Sequence, residues 1–181
     1  MKAAVYIAVS VDGFIAQKDG DVAWLHDPRY AIQGEDFGYS QFMADVDCIV
    51  MGRNTYEKVL EFEAWPFTGK RVVVLSRSLQ SISQPGAELS SEDPSALLRR
   101  LEAEGVKKVY VDGGKTIQSF LSDGLVYEIT ITRIPILLGS GLPLFAELNA
   151  SVHLQHSKSH AFANGFVQST WFTPPESTRY A

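Results

Sequence analysis

Apolar runs recur along the chain at Ala3 to Val11, Cys48 to Met51, Val72 to Leu75 and Val109 to Val111. Continuous apolarity is what a strand needs when both faces of its sheet are covered, so these segments are expected to be central, parallel strands. Helical stripes lie between or after them. Tyr39, Phe42, Met43 and Val46 fall at i, i+3, i+4 and i+7; Leu97, Leu98 and Leu101 follow an Asp93-Pro94 start; Ile117, Phe120 and Leu121 form a third stripe. Alternating strand and helix predicts a layered α/β sheet with right-handed crossovers.

The C-terminal third changes character. Glu128 to Leu138 is a β-rich run, and Val152 to Ala163 and Phe166 to Phe172 flank Asn164-Gly165, a strong signal for a two-residue hairpin turn. The sheet is therefore expected to finish antiparallel. Gln80 to Pro94 reads as a polar loop, residues 1–173 as a single domain, and residues 174–181, PPESTRYA, as a mobile tail.

Composition narrows the function. A chain of 181 residues can bury about 70% of its unfolded surface, enough for its own core. With 16 Lys+Arg against 21 Asp+Glu and a net charge of -5, neither nucleic acid nor an anionic membrane surface is an expected partner. The opening apolar run is broken by Asp12-Gly13 well short of bilayer length and reads as a core strand rather than a leader. The single cysteine, Cys48, lies in an apolar run and reads as a buried thiol, which fits a reducing cytoplasm.

Candidate chemistry gathers where strands end. After Val109 to Val111 comes DGGKTIQSFL, in which Gly113-Gly114 opens a helix; free N–H groups there suit a phosphate, and a plain tight turn is the other reading. VVVLSRSL offers Ser76, Arg77 and Ser78, and MGRNTYE offers Gly52, Arg53 and Thr55, with Tyr56 packing beneath. Neither a G-x-G-x-x-G fingerprint nor a P-loop is present in the sequence. All three corners nevertheless fall at C-terminal ends of expected parallel strands, the edge on which open α/β sheets bind ligands.

SVDGFIA (Ser10 to Ala16), DCIVMGRNTYE (Asp47 to Glu57), VVVLSRS (Val72 to Ser78), VYVDGGKTIQSFL (Val109 to Leu121) and TRIPILLGSGLPLF (Thr132 to Phe145) together resemble the dihydrofolate-reductase-like superfamily. They are most similar to the branch containing the C-terminal reductase domain of the bifunctional riboflavin-biosynthesis deaminase/reductase. The resemblance implies a three-layer α/β fold with a mixed, mostly parallel eight-stranded sheet, an antiparallel C-terminal hairpin, and NADPH across the strand ends. On it, Ala8 and Ile15 meet the nicotinamide carboxamide; Gly52, Arg53 and Thr55 hold phosphates; Leu75, Ser76 and Arg77 surround the adenine ribose and its 2′-phosphate; and Gly113, Gly114, Lys115 and Thr116 cradle the pyrophosphate. A charge-assisted hydrogen bond from such an arginine is worth about 1.5–3 kcal/mol, which favours NADPH over NADH.

The reducible substrate is less defined. The superfamily's folate enzymes use a carboxylate on the first helix, and the resemblance puts Asp36 there with Thr132 as its hydrogen-bonding partner. Helix capping is the other reading of Asp36, and Glu35 competes for either role. The base that would hold a folate carboxylate falls at Lys70 or Arg71, where the folate enzymes carry arginine. ILLGSGLPLF matches the riboflavin branch better, whose reaction reduces an open-chain ribosylamino-pyrimidine without requiring a dedicated acid. The fused deaminase's zinc signature is missing from the sequence. Trp24 either lines the substrate pocket or plugs the core, and Gly139 and Gly141 either shape its rim or form a turn. His153, His156 and His160 are not expected to bind metal. The branch's habit also suggests a homodimer. The expectation is a cytoplasmic reductase of a pyrimidine- or pteridine-type compound, against dihydrofolate reduction or a noncatalytic NADPH sensor.

Overall fold

The first strand of the chain lies inside its sheet, not at the edge. A computed structural model describes residues 1–148 and 150–174. Its elements are β1 (Lys2–Ser10), β2 (Phe14–Ala16), α1 (Tyr39–Ala44), β3 (Cys48–Gly52), α2 (Arg53–Val59), β4 (Arg71–Leu75), β5 (Ala87–Ser90), α3 (Pro94–Ala103), β6 (Lys108–Asp112), α4 (Gly114–Ser122), β7 (Val126–Ile134), β8 (Leu142–Pro143), β9 (Gln155–Ala161) and β10 (Val167–Phe172). Eight strands form one sheet in the order β5-β4-β3-β6-β1-β7-β10-β9, and β2 and β8 form a separate ribbon. Pairing is parallel from β5 through β7 and antiparallel from β7 to β10 and β9.

Alternate residues of the central strands feed two cores, which is why their sequences are apolar throughout. Val5, Val9, Val50, Val73, Val109 and Val111 pack on one face with Leu97 and Leu101 of α3 and Phe120 of α4. Ala4, Ile49, Met51, Val72, Val74 and Tyr110 pack on the other with Phe42 of α1 and with Tyr56 and Val59 of α2. The result is the expected three-layer arrangement. The helix start at Asp93-Pro94 forms as read, with Asp93 Oδ1 accepting the Ala96 N–H at 2.8 Å.

Several boundaries differ from the sequence reading. The polar stretch 80–94 contains β5, a parallel edge strand. β7 stops at Ile134 because Pro135 brings no N–H to the ladder, and Ile136 turns back to the Ile134 carbonyl at 2.8 Å. The β9–β10 loop is one residue longer than a two-residue turn. Phe162 pairs with Phe166, Gly165 N–H returns to the Phe162 carbonyl at 3.0 Å, and Gly165 takes φ of 86°. Every residue of β9 is exposed. Of the expected tail, only Pro174 falls within the described residues. Among the described residues no helix is long and apolar enough to cross a membrane.

An ionic lattice ties β4, β5 and α3 together on the surface. Arg71 meets Glu88 at 2.8 Å and Glu104 at 2.6 Å, while Arg100 meets Glu88 at 2.5 Å, Glu92 at 2.9 Å and Glu104 at 3.2 Å. Arg100 holds the Glu92 carboxyl below the usual range, and Arg71 does the same to Glu104. Carboxyls depressed in the folded state contribute stability above the unfolded glutamate value of about 4.3 and lose it as pH falls through their folded values. The urea midpoint is therefore expected to fall between about pH 6 and about pH 3. Arg100→Met should flatten that dependence, and an unchanged slope would remove the lattice as its source.

Candidate active site

Two neighbouring strand ends are locked by a reciprocal exchange of glycine and threonine. β3 and β6 pair in parallel, with Met51 opposite Asp112, so the corners that follow them lie side by side. A Cβ on Gly113 would sit 2.1 Å from Thr55 Oγ1, and one on Gly52 would sit 2.7 Å from Thr116 Oγ1. Each glycine thus gives its side-chain space to the threonine of the other corner. Gly113 also takes φ of 90° and ψ of 135°, a region that only glycine occupies easily. On the next residue, a Cβ at Gly114 would meet Ile15 Cδ1 at 2.7 Å, so β2 closes against the start of α4. Lys115 is exposed, and Thr116 and Ile117 are buried.

A third corner joins them through Arg53. β4 lies beside β3 with Leu75 opposite Gly52. The Arg53 guanidinium donates from Nη1 to Ser78 Oγ at 3.3 Å and from Nε to Glu57 Oε1 at 2.7 Å. Ser76 Oγ accepts the N–H groups of Ser78 at 3.2 Å and Leu79 at 3.1 Å, which shapes the loop after β4. Arg77 is exposed and makes no ion pair among the described residues. Gly52, Arg53, Thr55, Leu75, Ser76, Arg77, Gly113, Gly114, Lys115 and Thr116 therefore lie along one rim, with donors and open backbone suited to anionic oxygen.

The second part of the site is built where β1 and β7 end. Ala8 is opposite Thr132 in register and packs on a cluster of Trp24, Ile134 and Phe166. Trp24 belongs to a short 3₁₀ turn, Ala23–His26, is only 7% exposed, and its indole N–H has no partner among the described residues. Gln168 Nε2 contacts Thr132 Oγ1 at 2.9 Å, the Tyr6 hydroxyl at 2.9 Å and the Phe37 carbonyl at 3.0 Å. The Tyr6 hydroxyl also donates to the Phe37 carbonyl. Phe37 is held at φ of 57°, a left-handed conformation unusual for a bulky residue, and its ring packs on Phe162 and Phe166.

Asp36 adopts a capping geometry. Its oxygens accept the N–H groups of Gly38 and Ser40, each at 2.9 Å, and the Ser40 hydroxyl first, then these amides, hold its carboxyl below the ordinary range. The hydrogen bond to Thr132 implied by the resemblance is replaced: Thr132 Oγ1 accepts Gln168, which reaches the Asp36 neighbourhood only through the Phe37 carbonyl. Glu35 likewise turns to the Phe37 N–H at 2.7 Å. Lys70 donates to the Val46 carbonyl at 2.8 Å, and Arg71 belongs to the surface lattice, so both candidate folate anchors have structural work. Gly141 forms a close approach, where a Cβ would lie 2.3 Å from the Ala16 carbonyl oxygen, and Gly139 turns with φ of 72° onto Asp12 Oδ2 at 2.7 Å.

The sequence reading missed Asp112. It ends β6 between Met51 of β3 and the segment of β1 that carries Tyr6, immediately before the Gly113 corner. One oxygen accepts the Gly113 N–H at 2.9 Å. Protein surrounds the carboxyl while the residue keeps partial exposure at the strand end, and this desolvation raises its pKa; the Gly113 amide and the Tyr110 hydroxyl oppose the rise only in part. Its charge in turn helps to raise Tyr39, pushed up to about 12 chiefly by burial. The available signal was an acid between an apolar strand and a glycine pair, an environment that favours the neutral carboxyl.

Cys48 is buried, and burial pushes its thiol up to about 12, as befits packing and not nucleophilic chemistry. His156 contacts Ser159 Oγ at 2.8 Å, and among the described residues no group of His, Cys, Asp and Glu is arranged to hold a metal ion. A hollow of about 260 Å³ lined by Leu121, Val126, Leu148 and His153 sits where α4 ends and β7 begins, at the opposite edge from the corners.

Residues 2–168 match the RibD C-terminal domain family. The uncharacterised Bacillus subtilis (strain 168) protein YwjB is 36% identical over 157 residues, covering 85% of this chain and 88% of that protein. The crystal structure of a Shewanella sp. PV-4 protein named for riboflavin biosynthesis superposes with a TM-score of 0.90 at 39% identity, covering 97% of this chain and 100% of the other. The Thermotoga maritima diaminohydroxyphosphoribosylaminopyrimidine deaminase/5-amino-6-(5-phosphoribosylamino)uracil reductase shares the fold, with a TM-score of 0.72 at 17% identity over 96% of this chain and 56% of that one.

Proposed function

The chain belongs to the RibD C-terminal domain family, and on that premise we propose that it is a cytoplasmic NADPH-dependent reductase of a pyrimidine- or pteridine-type substrate. The observation that carries this reading is the meeting of three strand-end corners through the Gly113–Thr55, Gly52–Thr116 and Arg53–Ser78 contacts. Gly113, Gly114, Lys115 and Thr116 fit a pyrophosphate because they open α4 with no side chain capping its first N–H groups. Arg53, Ser76, Ser78 and Arg77 fit a phosphate monoester by charge and hydroxyl donors. Ala8 and Ile15 flank the position of the nicotinamide. The cofactor supplies hydride to a polarised C=N or C=O carbon of the substrate.

This chain's own residues bind, orient and protonate. Trp24 packs with Ile134 and Phe166 beneath Ala8 and so backs the proposed substrate side of the site. Gln168 holds the Thr132 hydroxyl at 2.9 Å, one position along β7 from Arg133. Asp112 is the proposed proton source for the nitrogen or oxygen that hydride addition leaves anionic, because it ends β6 immediately before the Gly113 corner and burial raises its carboxyl pKa. Asp36, ionised and committed to the backbone, is proposed to orient the Phe37 segment and the field around the substrate. The occupied Lys70 and Arg71 disfavour folate, whereas reduction of an open-chain ribosylamino-pyrimidine, the second activity named for the Thermotoga protein, needs no folate-tail anchor. The proposal includes a homodimer, to be checked by light scattering at micromolar concentration.

The nucleotide assignment is tested by calorimetric titration. Arg77→Ala should weaken NADPH by about tenfold to a hundredfold, the equivalent of one charge-assisted contact, and leave NADH nearly unchanged. An equal loss for both nucleotides would remove Arg77 from the 2′-phosphate.

A further inference from the structure

Resting on the nucleotide assignment above, we propose that Glu57 is a specificity-determining residue that opposes the 2′-phosphate at the Arg53 corner and so moderates the preference for the phosphorylated dinucleotide. Glu57 lies one turn along α2 from Arg53, and its Oε1 takes the Arg53 Nε–H at 2.7 Å, with the two side chains 46% and 47% exposed. The far side of the same guanidinium reaches Ser78 Oγ at 3.3 Å, which is itself 3.3 Å from Ser76 Oγ. A phosphate gripped beside those hydroxyls therefore has the Glu57 carboxylate across the width of one guanidinium, about 6 Å away in ordinary bidentate geometry.

Two effects of Glu57 compete. By pairing with Nε it aims the guanidinium at the serine loop, but an i,i+4 pair on an exposed helix shifts side-chain populations by only about twofold. Its charge repels a phosphate carrying about one to two negative charges, and at that separation in water-like surroundings the repulsion is worth about threefold to tenfold in affinity. Repulsion wins. NADH lacks the 2′-phosphate and escapes this part of the repulsion.

The test uses the 181-residue chain and its Glu57→Gln variant, which keeps side-chain length and an acceptor for Arg53 while removing the charge. Dissociation constants are measured by calorimetry for NADPH, NADH and adenosine 2′,5′-bisphosphate in about 50 mM salt, where the Debye length exceeds the separation. Glu57→Gln should tighten NADPH and the bisphosphate about threefold to tenfold, with less than about a twofold change for NADH, and the gain should shrink in about 0.5 M salt. Equal tightening of all three, or weaker NADPH binding, overturns the role of Glu57 while leaving the nucleotide site standing. If neither protein binds any of the three, the nucleotide assignment falls and Glu57 falls with it.

Discussion

Gly113→Ala is expected to destabilise the protein by about 2–6 kcal/mol and to abolish tight NADPH binding. Two costs combine. The residue must keep φ of 90° with a side chain present, and its new methyl must occupy a point 2.1 Å from Thr55 Oγ1. Backbone strain of this kind costs about 1–3 kcal/mol, and overpacking adds a similar amount. Relief by moving Thr55 would open the first turn of α2 and carry Arg53 away from Ser78. Urea unfolding separates the two costs: Thr55→Ala in the Gly113→Ala background should recover the overpacking share and leave the backbone share. A loss below about 1 kcal/mol in the single variant would mean that the corner yields easily and is no preformed cradle.

Asp112→Asn is expected to lower kcat by about a hundredfold or more with the physiological substrate while leaving NADPH affinity within a few fold. The wild-type rate should fall as pH rises through the elevated pKa of Asp112, and that decline should be missing in the variant. Stability gives a second readout that needs no substrate. Because burial raises the folded pKa above the unfolded one, the fold favours the protonated carboxyl; its contribution is fully present below the unfolded value and lost as pH rises through the folded one. Asp112→Asn, permanently neutral, should therefore gain melting temperature relative to wild type as pH rises from the unfolded aspartate value through the folded one. Asp36 behaves with the opposite sign, since its folded pKa is lowered and its contribution is lost as pH falls. Asp36→Asn should change kcat by less than about tenfold, and a larger fall for Asp36 than for Asp112 would exchange their roles.

The parts of the fold that the sequence announced are those in which local pattern and global layer agree. β3 and β4 are continuous apolar runs because each residue meets one of two helical layers, and α3 carries its start signal in Asp93-Pro94. β5 was hidden because its four residues include Glu88, whose charge is satisfied by arginines from β4 and α3 that only the folded sheet brings near. The cofactor corners were legible from glycine and cation at strand ends, whereas their interlock was not, because Thr55 and Thr116 meet glycines some sixty positions away in the chain. Asp36 attracted attention by its alignment, but the neighbouring amides decide its chemistry. The case of Asp112 runs the other way: its identity was plain and its desolvation was not.

The inner position of β1 also sets the order of events during synthesis. Ala3 lies between Val109 and Val126, so β1 leaves the ribosome some hundred residues before either strand that flanks it. At about 5–20 residues per second, its apolar residues wait on the order of ten seconds without a ladder on either side. A nascent chain that has not yet reached β6 therefore carries AAVYIAVSV as an unpaired apolar strand.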